Sequence, residues 1–263
     1  MDKIRNGRFT SSGISSLMSN GKAKGTFGKP YFTYIEEKYF ETKLKRRLDN
    51  ESNARPTSWG KLVERHAFDQ LGTEYNLVSQ DTIVHQTIEL WAGSPDLEKY
   101  DEGKTVCDIK CPMTLKSFCT FYECETIEEV RDKHKDGEDY YWQLVSNSIL
   151  LNTKYAELII YVPYYYELVQ IRELANNYDG DQNKVAWINW AGDDDLPYIP
   201  EESEYKNLKV IRFEVPESDK KALTERVNAA ISEIQKMLLP KASNTIKTTE
   251  TVETPKGDND LKI

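Results

Sequence analysis

The run AELIIYV, residues 156–162, constrains the fold more than any other stretch of the sequence. It is apolar almost throughout, as expected of a central strand covered on both faces. Helices must then flank the sheet, and the surrounding sequence supplies them. An amphipathic helix is expected over about 31–47, and a second over WGKLVERHAFDQL, where Leu62, Ala67, Phe68 and Leu71 form an apolar stripe. Further helices are expected near 114–122, 127–134, 139–151 and 218–239, with a short capped one over 10–18. Strands are expected over 82–91, 104–111 and 208–215. This is an α/β domain over residues 1–240. Residues 176–205 form an irregular acidic excursion within it, and the apolar-poor segment 241–263 is a disordered tail.

Composition limits the function classes. No run approaches the roughly 18–20 apolar residues of a membrane span, and MDKIRNGRFTSSG lacks the apolar core of a signal peptide. A cytoplasmic protein without a membrane partner is expected. Cys107, Cys111, Cys119 and Cys124 match no common zinc spacing and are read as buried free thiols. The net charge of −9 is uneven: residues 1–50 carry eleven Lys/Arg against five Asp/Glu, so +6 at the front faces −15 in the rest. A basic front on an acidic body suits a protein that grips a polyanion along one surface. Ordinary solvated helix faces would give the same count. The Gly- and Lys-rich stretch SNGKAKGTFGKP reads as a mobile basic loop.

Chemistry concentrates in GSPDLEKYDEGKTVCDIKCP, residues 93–112. A lone acid-x-Lys triplet means little here, because EEK, ETK, EYK and DKK also occur. Strand alternation, however, puts Asp108 and Lys110 on one face while Cys107, Ile109 and Cys111 point to the other. The strand expected before it ends at Ser94-Pro95-Asp96 and turns back antiparallel, which brings Asp96 near the pair. Two carboxylates and the Ile109 carbonyl make a hard-oxygen site suited to Mg²⁺ or Mn²⁺. A lysine beside such an ion orients water or stabilises phosphoryl charge. His66, His85 and His134 form no metal pair, and the chain has no nucleophile elbow, Walker loop or dinucleotide fingerprint.

PD, a spacer, then (D/E)xK resembles the signature of the restriction-endonuclease-like nucleases. RNGRFTSSGISSLM, SWGKLVERHAF, GSPD with CDIKCP, and YYWQLVSNSILL together resemble the phage lambda exonuclease or YqaJ-type viral recombinase family, in its order and roughly its spacing. The resemblance implies a restriction-endonuclease-like core, a central mixed β-sheet flanked by helices. It implies catalytic or metal-site roles for Glu64, Asp96, Asp108, Lys110 and Gln143, with Glu64 reaching the ion directly or through water. The family's phage prototype has Glu where this chain has Asp108, a shorter carboxylate. By the same resemblance Arg5, Ser12 and Ser94 would hold a 5′ phosphate, a fit for an Arg fork with hydroxyls near a helix start. Lys22, Lys24 and Lys29 lie where a strand-gripping role would fall.

The implied activity is Mg²⁺-dependent 5′-to-3′ digestion of linear double-stranded DNA from its ends. It would leave 3′ overhangs for a single-strand annealing protein, and the implied assembly is a trimeric homo-oligomeric ring. An endonuclease of the same fold, or a DNA-binding scaffold with a dead site, remain as alternatives, because this chemistry does not itself choose ends over interiors.

Overall fold

The computed structural model describes residues 3–48, 54–78, 82–101 and 104–239. The tail expected to be disordered, 241–263, lies outside the described residues. The first half comprises β1 (Phe9–Thr10), α1 (Ser15–Met18), α2 (Lys29–Leu44), α3 (Arg55–Asp69), β2 (Tyr75–Leu77), β3 (Ile83–Val84), β4 (Trp91–Gly93), β5 (Leu97–Lys99) and β6 (Thr105–Lys110). Then follow α4 (Leu115–Tyr122), α5 (Ile127–Lys133), α6 (Gly137–Leu151), β7 (Tyr155–Tyr161), α7 (Leu168–Asn176), α8 (Trp187–Trp190), β8 (Leu208–Glu214) and α9 (Glu217–Leu238).

The apolar run 156–162 supplies β7, which lies inside a mixed five-stranded sheet of order β2-β5-β6-β7-β8. β6 and β7 are parallel, and the other pairs are antiparallel. A parallel neighbour requires a crossover, which α4, α5 and α6 provide. Side chains of β7 alternate between two cores. Ala156, Leu158 and Ile160 pack with α6 and α9, whereas Ile159 and Tyr161 pack with Trp59 and Leu62 of α3 and Ile171 of α7. Glu157 interrupts the second face and is buried, yet its carboxylate is fully engaged. It accepts from Tyr75 Oη at 2.8 Å, Lys99 Nζ at 3.2 Å and Arg212 Nη1 at 3.1 Å.

Several expectations need correction. The strand expected over 82–91 is two short strands, β3 and β4, paired antiparallel in a separate three-stranded sheet of order β1-β4-β3. Its β-branched residues at 82–84 are separated from Trp91 by a turn in which His85 Nδ1 accepts the Thr87 and Ile88 amides. The expected short helix at 10–18 is a 3₁₀ turn, Ser11–Gly13, followed by the single turn of α1, and Thr10 caps neither through its side chain. α3 begins at Arg55, earlier than expected, because Pro56 falls in the first turn, where no hydrogen bond is lost. The excursion is ordered on the second core: Val185 and Ile188 are buried there with Leu196. α7, just before it, was not anticipated. All four cysteines are free thiols, with Cys119 half-buried and the others buried.

α2 is less amphipathic than its sequence suggested. It buries Lys38 and Glu41 while leaving Phe32, Phe40 and Leu44 exposed. The two buried charges pair at 3.0 Å, and Glu41 also accepts the Gly7 amide at 3.0 Å. That carboxylate ties the N-terminal segment carrying Arg5 to α2. Because one partner left alone in the interior is costly, Glu41→Ala is expected to lower unfolding stability by about 3–5 kcal/mol. The double variant Lys38→Met/Glu41→Leu is expected to lose far less. Urea unfolding of both variants checks this, and equal losses would mean the pair is not the cause.

Candidate active site

β5 and β6 pair with Leu97 opposite Cys107. One step further along this antiparallel ladder, Asp96 faces Asp108. The chain reaches that point by leaving the small sheet at Gly93 and entering the large one at Leu97, with buried Pro95 between. Ser94-Pro95-Asp96 is therefore a crossing between sheets, not the end of one long strand. The approach of Asp96 to the DIK pair is as expected, by a different route. Its Oδ2 accepts the Ile109 amide at 2.8 Å.

Asp108 is fully buried. Its Oδ1 accepts from Gln143 Nε2 of α6 at 2.8 Å, and its Oδ2 forms an ion pair with Lys110 Nζ. The two side chains share one strand face, as alternation required. Cys107, Ile109 and Cys111 lie in the opposite core against α3. Glu64, also on α3, lies within the fields of the Lys110 and Asp108 charges. The site thus draws on helices from both sides of the sheet, at the C-terminal end of β6. The Lys110 ammonium also lies 5.2 Å from the centre of the Tyr140 ring, a cation–π contact. Tyr140 was not singled out from the sequence. Its spacing of three before Gln143 on one helix face is the signal that would have found it.

The electrostatics are those of crowded acids around one cation. Burial, with the charges of Asp108 and Glu64, holds Asp96 well above the usual carboxylate range, although Lys110 and the Ile109 amide pull it down. Burial also raises Glu64, with Asp108 adding to the effect and Lys110 opposing it. Burial disfavours the charged form of Lys110, but Asp108, Asp96 and Glu64 overcome it and keep the ammonium strongly favoured. Among the described residues no three His, Cys, Asp or Glu side chains converge closely enough to ligate one ion. The donors themselves fit Mg²⁺ or Mn²⁺: all are hard oxygens, and the raised acids are the groups a divalent cation would relieve.

The implied phosphate residues lie near the small sheet. Thr10 of β1 pairs with Ala92 of β4, and Ser12 and Ser94 each lie two residues beyond that pair. Arg5 Nη2 donates to Ser12 Oγ at 3.4 Å, so these two come together. Ser94 Oγ instead bonds Thr82 Oγ1 at 3.2 Å. Gly93 makes this close packing possible, since a Cβ there would lie 2.2 Å from Ser11 Oγ. The basic stretch is a hydrogen-bonded loop, bridged between Asn20 and Phe27, with Gly21 N–H donating to the Thr26 carbonyl at 2.8 Å. Lys22, Lys24 and Lys29 are exposed on it and at the start of α2. Among the described residues, no hydrogen bond or ion pair joins them to the carboxylates or to Arg5.

No protein-family model matches the chain, and no curated protein is significantly similar to it in sequence. Solved structures do match. An alkaline exonuclease from Laribacter hongkongensis, LHK-Exo, superposes with a TM-score of 0.56 at 17% identity, covering 89% of this chain and 90% of that one. LHK-Exo in complex with dAMP gives 0.58 at 17%, over 89% and 91%. A phage-related exonuclease from Haemophilus somnus 129PT gives 0.59 at 14% identity, over 88% and 94%. The chain therefore has the α/β fold of these exonucleases, a mixed sheet flanked by helices. The resemblance read in its motifs is borne out at the level of fold.

The raised state of Asp96 carries a stability consequence. A carboxyl that holds its proton more tightly when folded loses stability as pH rises above its unfolded value of about 3.9. Asp96→Asn retains an acceptor for the Ile109 amide and removes the charge. It is expected to be more stable than the parent at pH 7, an advantage absent near pH 3. Urea midpoints at the two pH values measure this; a destabilised variant at pH 7 would contradict the crowding.

Proposed function

We propose that the protein is a metal-dependent exonuclease that digests linear double-stranded DNA from its 5′ end and leaves a 3′ single-stranded overhang. The observation that carries this reading is the joining of Asp96, Asp108, Lys110 and Gln143 on the fold shared with the exonucleases above. Asp96, Asp108 and the Ile109 carbonyl would hold Mg²⁺, with Mn²⁺ a substitute and Glu64 reaching it directly or through water. When bound, the ion supplies charge neutralisation at the phosphoryl group and lowers the pKa of water.

The chain's own residues account for the rest. Lys110, ion-paired with Asp108, would place a positive charge beside the phosphoryl oxygens. Gln143 fixes the rotamer of Asp108 through its 2.8 Å bond. Arg5 and Ser12, with Ser94 freed from Thr82, would hold a terminal 5′ phosphate.

The implied setting is recombination in the cytoplasm. An annealing protein would take the overhang, and a homo-oligomeric ring would surround the duplex. Such a ring fits an acidic chain whose first 50 residues carry an excess of basic over acidic side chains. Among the described residues no helix is long and apolar enough to cross a membrane.

The test is digestion of linear and covalently closed circular duplex with Mg²⁺, beside the same reactions in EDTA. Linear DNA is expected to be degraded from 5′ ends, fastest when phosphorylated, with circles intact and EDTA abolishing the reaction. Asp108→Ala and Lys110→Ala are each expected to lower turnover by 100-fold or more, on the order seen when a transition-state charge partner is removed. Rapid cutting of circles would make the protein an endonuclease. Variants that match the parent would leave a DNA-binding scaffold.

A further inference from the structure

α6 meets the reactive end of β6 at two points. Gln143 donates to Asp108, and the ring of Tyr140, three residues earlier on the same helix face, has its centre 5.2 Å from the Lys110 ammonium. Asp108 is fully buried, whereas Lys110 and Tyr140 are both half-buried and stand at the open edge of the site. One helix therefore holds the acid of the ion pair by a hydrogen bond and the cation by a ring face.

The ring is itself held. It packs against Phe121 of α4 and against His134, each with ring centres 5.8 Å away, and His134 lies nearly parallel to Phe121 at 3.9 Å. The imidazole is fixed at both nitrogens, Nε2 by Ser117 Oγ at 2.7 Å and Nδ1 by the Asp136 amide at 3.2 Å. Among the described residues the Tyr140 hydroxyl has no hydrogen-bond partner, so the packing fixes the ring and not the phenol oxygen. Three packed rings, locked from behind, thus present one face to an ammonium on a flexible four-carbon stem.

An aromatic partner differs chemically from an acidic one. A carboxylate holds a lysine but cancels its charge; Asp108 already pairs with Lys110, and the charges of Asp96 and Glu64 lie close by. A ring face attracts a cation through its quadrupole and carries no net charge. It steadies the ammonium and leaves its charge for a phosphoryl group. We propose that Tyr140 is a positioning residue: its ring face holds the Lys110 ammonium at the open edge of the site, aimed at the phosphoryl group and not drawn wholly onto Asp108. This rests on the nuclease reading above. Without the ring the ammonium spends more of its time on the carboxylates, and the rate falls with the population lost.

Two measurements test this. The first needs no metal: urea unfolding of the parent, Tyr140→Leu, Lys110→Met and the double variant. Tyr140→Leu is expected to cost less stability in the Lys110→Met background than in the parent, because the ring then has no cation to hold. Equal costs overturn the proposal. The second is the rate of Mg²⁺-dependent digestion of 5′-phosphorylated linear duplex. Tyr140→Leu is expected to lose about threefold to thirtyfold, the worth of such a contact from half-exposed to desolvated. Tyr140→Phe, which keeps the ring face, is expected to recover most of that loss. Tyr140→Phe made with one, two or three ring fluorines nearly preserves the shape and drains the face, so the rate is expected to fall with each fluorine. Packing alone would leave that series flat. A flat series overturns the proposal, as does a Tyr140→Phe rate as low as that of Tyr140→Leu. Should Tyr140→Leu fail to fold, the fluorinated series set against Tyr140→Phe decides. A parent that does not digest linear duplex defeats the nuclease reading and this proposal with it. An active parent with a flat series defeats the proposal alone.

Discussion

The charge balance at Lys110 holds the site together. One ammonium on β6 faces Asp108 on its own strand, Asp96 across the ladder and Glu64 from a helix behind the sheet. Three acids brought out of water would repel one another and take up protons. The lysine keeps them assembled, and in return they keep it charged.

The sheet makes this assembly possible. β6 is buried on both faces, so Cys107 and Ile109 anchor it in one core while Val106 reaches the other. With the strand immobilised, Asp108 and Lys110 are aimed without relying on a flexible loop. The long crossover between parallel β6 and β7 then brings α6 back over the same strand end, and α6 delivers Gln143 and Tyr140. The polar pairs away from the site serve the scaffold. Glu157 joins β7 to β2, β5 and β8 through Tyr75, Lys99 and Arg212, and Glu41 fastens the N-terminal segment to α2.

Much of this was legible in the sequence. The strand at 156–162, the alternation in CDIK and the helix carrying Glu64 all follow from local periodicity, which survives folding because each period matches one buried face. The errors fall where local pattern is ambiguous. Thr82 to Trp91 reads as one strand because β-branched and aromatic residues recur there, yet its two ends pair with each other around a turn. The Lys38–Glu41 pair was invisible, because charged residues at helical spacing normally mark a solvated face. α7 was missed in a run of Tyr, Leu and Val without a clear cap.

The sequence by itself determined the alternation that puts Asp108 beside Lys110, the helical spacing that puts Tyr140 and Gln143 on one face, and a basic front on an acidic body. These are properties of single elements, set by backbone geometry within a few residues. Tertiary structure alone decided that Asp96 faces Asp108 across a change of sheet, that Glu64 reaches the same point from the opposite core, and that the Tyr140 ring meets the Lys110 ammonium. Those contacts join residues tens of positions apart, and only the packing of helices on both faces of one sheet sets the distances between them.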